Sequence, residues 1–189
     1  MQAETSMTHR TRRRLGIAGI LIGLVIAGIW VPSSAAAAGD QRAIEAVIRS
    51  RMDLMQGFGA TSDGAISPQA LPEALTKANG RLRSVYSGEL LTQRSDQLDA
   101  SLRAQAGGAL RFFGGGVSKL TFSKIGISGS IARLTVTATT WSDVGQVVER
   151  KVVRSRPANI VEFTFELTRL PEGWRITQES FVFAPGSEP

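Results

Sequence analysis

From Asp40 onward the spacing of apolar residues changes once, from helical to alternating. In "DQRAIEAVIRSRMDLMQGFG", Ile44, Val47, Ile48, Met52, Met55 and Phe58 recur at three- and four-residue steps. Arg42, Glu45, Arg49 and Asp53 fall largely elsewhere. This spacing predicts a helix with one buried side. Asp40 can accept hydrogen bonds from the free amides at its start, and Gly57 and Gly59 end it. A turn-rich stretch follows, with Asp63-Gly64 and Asn79-Gly80 as turn signals. Ser67-Pro68 opens a short helix around Gln69 to Lys77, made irregular by Pro72. "YSGELLTQRSDQLDASLRAQAGG" predicts a further helix, capped by Ser87 and stopped at Gly107-Gly108, with Leu91, Leu98 and Leu102 on one face.

Beyond Gly108 the runs "KLTFSKIGI", "SIARLTVTATTWS", "QVVERKVVRS", "ANIVEFTFELTRL" and "GWRITQESFVF" read as successive strands, rich in Val, Ile, Thr and Phe. Val161, Phe163, Phe165 and Leu167 alternate with Glu162, Thr164, Glu166 and Thr168, so one face is buried and the other solvated. The short "LPEGW" connection joins the last two strands as an antiparallel hairpin. Helices first and a meandering sheet afterwards predict a single α+β domain over residues 40–189, its helices covering one face of the sheet.

The segment before it is different. Leu15 to Val31 is apolar and uncharged, and the basic run "RTRRR" precedes it. Seventeen residues lie at the short end for a membrane-spanning helix and just above a typical signal-peptide core. Pro32 and the small residues of "SSAAAAG" favour a cut signal peptide, with Ala38 and Gly39 flanking the candidate cleavage site. Both alternatives, a signal peptide or a membrane anchor over residues 1–39, put the arginines in the cytoplasm and the domain outside it, periplasmic or extracellular. "TRRRL" also resembles a twin-arginine export signal, but an ordinary basic leader is the preferred reading.

The leader also explains much of the charge. The chain carries a net +6, but Arg10, Arg12, Arg13 and Arg14 lie in the leader against Glu4. That leaves 18 basic and 15 acidic side chains, or +3, for residues 40–189. A surplus this small does not call for nucleic acid. There is no cysteine, and the one histidine, His9, lies in the leader. Residues 40–189 therefore hold no thiolate or imidazole, which removes the commonest nucleophile–base pairs and metal ligands.

The order of elements over Asp40 to Phe183, "YSGELLTQ" at the start of the last helix and the terminal hairpin "VEFTFELTRLPEGWRITQESFV" resemble the nuclear-transport-factor-two-like superfamily. That resemblance implies helices against a strongly bent antiparallel sheet, a cone with a pocket. A basic tail, one apolar segment and then such a domain is similar to mammalian-cell-entry-associated proteins. It is similar also to the bitopic scaffold subunits of bacterial type IV secretion machines. Catalytic members of the superfamily use an Asp, His or Tyr in the cone. This chain departs from them, with no histidine in the domain and one tyrosine, Tyr86. No catalytic position carries over.

Other candidates are few. "RFFGGGVSK" lacks the Gly-Lys-Ser/Thr and helix of a phosphate loop, and Gly114 to Gly116 read as a connector between helix and sheet. Arg150, Lys151, Arg154 and Arg156 form a basic run that either meets an acidic partner or keeps a strand edge solvated. Trp141, Trp174 and Tyr86 are candidates to line a cone pocket. Glu162 and Glu166 read as solvated, and no cluster spells a metal site or cofactor. The expectation is a non-enzymatic, envelope-facing interaction domain that binds an envelope protein or itself, with membrane contact through residues 15–31 if these are not cut away. A secreted binding protein for a small apolar ligand is the alternative, and an isomerase- or dehydratase-like enzyme a remote one.

Overall fold

The computed structural model describes residues 34–58 and 62–188. The expected leader segment, 15–31, lies outside them. Among the described residues no helix is long and apolar enough to cross a membrane.

Three helices precede the sheet: α1 (Ser34–Asp53), α2 (Leu71–Val85) and α3 (Gly88–Ala106), with a single 3-10 turn at Leu54–Gln56. Helix α1 begins six residues earlier than the Asp40 cap implied. The run of alanines before Gly39 has the highest helix propensity of any residue, which favours this earlier start. Asp40 instead pairs with Arg169 and accepts from the Trp174 indole Nε1 at 3.4 Å. Helix α2 starts at Leu71, with Pro72 in its first turn, where no amide partner is lost. It runs through Asn79-Gly80, which the sequence marked as a turn, because Ala74, Ala78, Leu82 and Val85 bury one continuous stripe. That burial outweighs a propensity cost of about 1 kcal/mol for the glycine.

The sheet is antiparallel and open. Strands β1 (Leu110–Phe122), β3 (Ile131–Val148), β5 (Ala158–Leu170) and β6 (Gly173–Phe183) lie side by side in that order. Two short strands, β2 (Gly126–Ser128) and β4 (Lys151–Ser155), flank the two ends of the long β3. The run "QVVERKVVRS" is thus a hairpin rather than one strand. β3 ends at Val148, Glu149 and Arg150 turn with positive φ, and β4 returns. Gly114 to Gly116 lie inside β1, not in a connector. The close approach of neighbours on both faces excludes side chains there. A Cβ on Gly115 would meet the Met55 carbonyl oxygen at 2.5 Å, and one on Gly116 the Trp141 indole at 3.3 Å.

The helices cover one face of the sheet, here called inner. The core they enclose joins Ile44, Ile48 and Met52 of α1, Leu82 and Val85 of α2, and Val136, Phe163, Phe165, Leu167 and Ile176 of the strands. Each fully buried side chain of this size contributes about 1.5–3 kcal/mol. A second cluster under the loop before α2 joins Phe58, Ile66, Ala74, Ala78 and Leu102.

Candidate functional site

The inner face carries one fully buried carboxylate, Glu179 of β6. Strict alternation from Trp174 and Ile176, both inward and buried, would turn Gln178 inward and Glu179 out. The register prevents this. Leu167 pairs with Ile176 but Glu166 with Gln178, so Thr177 is an extra, bulged residue. Its hydroxyl bonds the Glu166 carbonyl at 3.3 Å. Beyond the bulge Glu179, Phe181 and Phe183 stand on the same face as their partners Phe165, Phe163 and Val161.

Four elements meet at this carboxylate. Arg51, near the end of α1, donates to its Oε1 from Nε at 2.9 Å and also through Nη2. Tyr86, in the link between α2 and α3, donates its phenolic OH to Oε2 at 2.9 Å. Arg94 of α3 brings Nη2 to 3.6 Å from Oε2. Tyr86 is positioned by its backbone: it bridges Ile176, and the next amide, of Ser87, donates to the Ile176 carbonyl at 3.1 Å. The Arg51 guanidinium lies 4.8 Å from the centre of the Phe163 ring, a cation–π contact. Burial drives the Tyr86 hydroxyl well above the usual phenol range, and the Glu179 charge adds to this against the opposing Arg51. Burial works against the charge of Arg51, but Glu179 and Tyr86 outweigh it, so its pKa is raised.

Arg51 separates two clefts. The first, about 290 Å³, opens on the inner face and is lined by Met55, Val161, Phe163, Phe181 and Phe183, and at its margin by the candidate Trp141. The second, about 270 Å³, lies on the helix side between Leu54, Met55, Phe58, Tyr86, Arg94 and Leu98. Both are open. The depth between helices and sheet is filled by the core, where Phe163 and Phe165 stack at 5.9 Å.

The sequence candidates land in different places. Tyr86 lines the helix-side cleft and is buried, pinned between Ile176 and Glu179. Trp174 is core: it is buried, bonds Asp40 and lies under the Arg169 guanidinium, so it lines neither cleft. Trp141 is exposed, its ring lying over Gly114 and Gly116 on the outer face. In the basic run, Arg154 and Arg156 both pair with Asp143, the second at 2.7 Å, and Arg154 lies 3.9 Å from the Phe113 ring centre. The hydrogen bond from Arg154 above all, against some burial, holds the Asp143 carboxyl below its ordinary range. These two arginines therefore brace the β3–β4 arm, while Arg150 and Lys151 stay exposed at its tip. Glu166 pairs with Arg133 across the outer face at 2.6 Å, and Glu162 is exposed. Ala38 and Gly39 sit within α1. Among the described residues no group of acidic or histidine side chains could hold a metal ion.

Outside the helices' cover, Trp141, Ile160 and Val182 are 42, 46 and 61% exposed. The register makes them a row. Trp141 is opposite Ala158, and Val182 is opposite Glu162, so each is a diagonal neighbour of Ile160. Such neighbours are roughly 7–8 Å apart. The row ends on β6, whose residues 178–183 pair, among the described residues, with β5 on one side only.

No family model matches the chain, and no curated protein matches it. Solved structures do. The intermembrane space region of the chloroplast protein ARC6 is 17% identical with a TM-score of 0.53, covering 77% of this chain and 98% of that one. Kfla4162 from Kribbella flavida is 14% identical with a TM-score of 0.51, covering 78% and 93%. These two share the fold. Among the similar chains are also an NTF2-like protein with a cystatin-like fold from Novosphingobium aromaticivorans and CagV, a VirB8 homologue of the type IV secretion system of Helicobacter pylori. They are 16% and 12% identical, cover 85% and 74% of this chain and 94% and 98% of their own, and have TM-scores of 0.40 and 0.37.

Proposed function

We propose that the domain is a non-enzymatic accessory module of the cell envelope, facing outward from the cytoplasm, that binds another envelope protein along the β6 edge. The carrying observation is the exposed apolar row of Trp141, Ile160 and Val182 running into an unpaired strand edge. A bare edge offers a ladder of amides and carbonyls to an incoming strand, and the row offers it an apolar bed with a tryptophan anchor. One of the structures that share the fold is described as an intermembrane space region, which fits a domain placed beside a membrane.

The chemistry of the inner face supports the non-enzymatic reading. Both oxygens of Glu179 are engaged, Oε1 by Arg51 and Oε2 by Tyr86 and Arg94. A carboxylate so neutralised has no free lone pair directed at a substrate proton. A second reading, a small apolar ligand on the inner face, has the Phe163, Phe181 and Phe183 walls in its favour. It takes second place because that cleft is shallow and open above a filled core.

The chain has no cysteine, so Val182→Cys provides one defined thiol for a photoreactive maleimide crosslinker in intact cells. One discrete adduct, to a second protein or to another copy, is the expected outcome, and adding Ile160→Lys should abolish it. An adduct that persists with the lysine in the row, or the absence of any adduct, defeats the proposal.

A further inference from the structure

The helix-side cleft holds an imbalance of charge that the fold itself does not use. Arg51 and Arg94 share the single carboxylate of Glu179, which leaves one positive charge in excess. The excess falls on Arg94. Arg51 makes both of its close contacts to Oε1, and the shorter contact to Oε2 belongs to Tyr86 at 2.9 Å, against 3.6 Å for Arg94. Arg94 donates from Nη1 to Gln97 at 2.8 Å, and its Nε is buried with no acceptor. A buried donor without a partner is costly and uncommon, so the fold leaves this guanidinium incompletely satisfied. The side chain is nonetheless 26% exposed, so it can be reached from the cleft it lines.

The rest of the cleft defines that occupant. Its walls of Leu54, Met55, Phe58 and Leu98 are apolar. No acidic side chain is among its described lining residues. We propose that this cleft binds a short aliphatic carboxylic acid, its carboxylate on Arg94 and its tail along Leu54, Met55, Phe58 and Leu98. One excess positive charge matches a monoanion. The volume of about 270 Å³ sits at the small end of ligand sites, which limits the tail to a short chain. Arginine presents several donors to a carboxylate, and Nη2 of Arg94, 3.6 Å from Oε2, is not held at hydrogen-bond distance by Glu179.

The test is titration calorimetry of octanoate into the full-length protein in nanodiscs, with empty nanodiscs as the blank. Octanol, which has the same tail without the charge, and acetate, which has the charge without the tail, are the comparison ligands. Octanoate should bind, and octanol and acetate should bind at least tenfold more weakly. Arg94→Met should weaken octanoate roughly ten- to a hundredfold, the value of a charged hydrogen bond. Ser101→Phe narrows the cleft without touching the ion network, and should also abolish binding even if Arg94→Met fails to fold. Absence of octanoate binding at millimolar concentration overturns the proposal. Equal affinity for octanol or for acetate overturns it too, as does wild-type affinity in Ser101→Phe.

Discussion

Glu179 ties α1, the α2–α3 link, α3 and β6 through single side chains, and Tyr86 reports on that knot. It is the only tyrosine in the chain, so phenolate absorbance reads it alone. Its folded pKa is raised by burial and by Glu179. A group whose pKa is raised on folding contributes stability that is fully present below its unfolded pKa, near 10, and is lost as pH rises through the folded value. The phenolate signal should therefore stay flat through pH 10 and rise only as the protein unfolds in alkali. Glu179→Gln, which removes the charge that raises the phenol and leaves both arginines that lower it, should bring the transition down while the fold persists. A wild-type transition at pH 10 in folded protein contradicts the buried geometry. The sequence did carry a trace of this site. Apolar positions on the last strand switch from even, Trp174 and Ile176, to odd, Phe181 and Phe183. A parity switch inside one strand marks a bulge. Nothing in the sequence singled out Glu179, because Arg51 and Tyr86, which engage it, are 128 and 93 residues away.

At the scale of elements, periodicity gave the helices and the β5–β6 hairpin, whose signals are local. The β3–β4 arm was not legible, because nothing in "VERK" announces a turn. Glu149 and Arg150 have φ of 50° and 63°, the left-handed values that a two-residue hairpin demands and that glycine and asparagine prefer. What holds the arm lies outside the turn: the pairs of Asp143 with Arg154 and Arg156, and Arg154 over Phe113. The turn is therefore a place where sequence and conformation disagree at a cost. The double substitution Glu149→Asn and Arg150→Gly installs the asparagine–glycine dipeptide that such a turn prefers. It should stabilise the protein by about 1 kcal/mol and raise Tm by a few degrees. Thermal unfolding followed by circular dichroism measures it, and a fall in Tm would mean that the native turn is stabilised by side-chain contacts of Glu149 or Arg150.

For the whole molecule, the α+β order was legible because one change of period divides the chain, and burial follows it. The start of α1 was not, since alanines serve a helix and a cleavage site equally well. That ambiguity now has a physical handle. Helix α1 runs unbroken from Ser34 past Ala38 and Gly39, and four residues of it, Asp40, Ile44, Ile48 and Arg51, are tied into the domain by an ion pair, core packing and the Glu179 knot. A signal peptidase reads small residues in extended chain, so cutting at this site requires unwinding a helix that the domain stabilises. The expected product in a bacterium with a working export system is thus a full-length mass in the membrane fraction. The substitution Gln41→Pro, which breaks the helix just past the cut and leaves Ala38 and Gly39 in place, should release a fraction of the protein. An intact mass beginning at Gly39 in the soluble exported fraction of the wild type would instead show that export precedes the formation of α1, and would make the docking surface that of a freely diffusing protein.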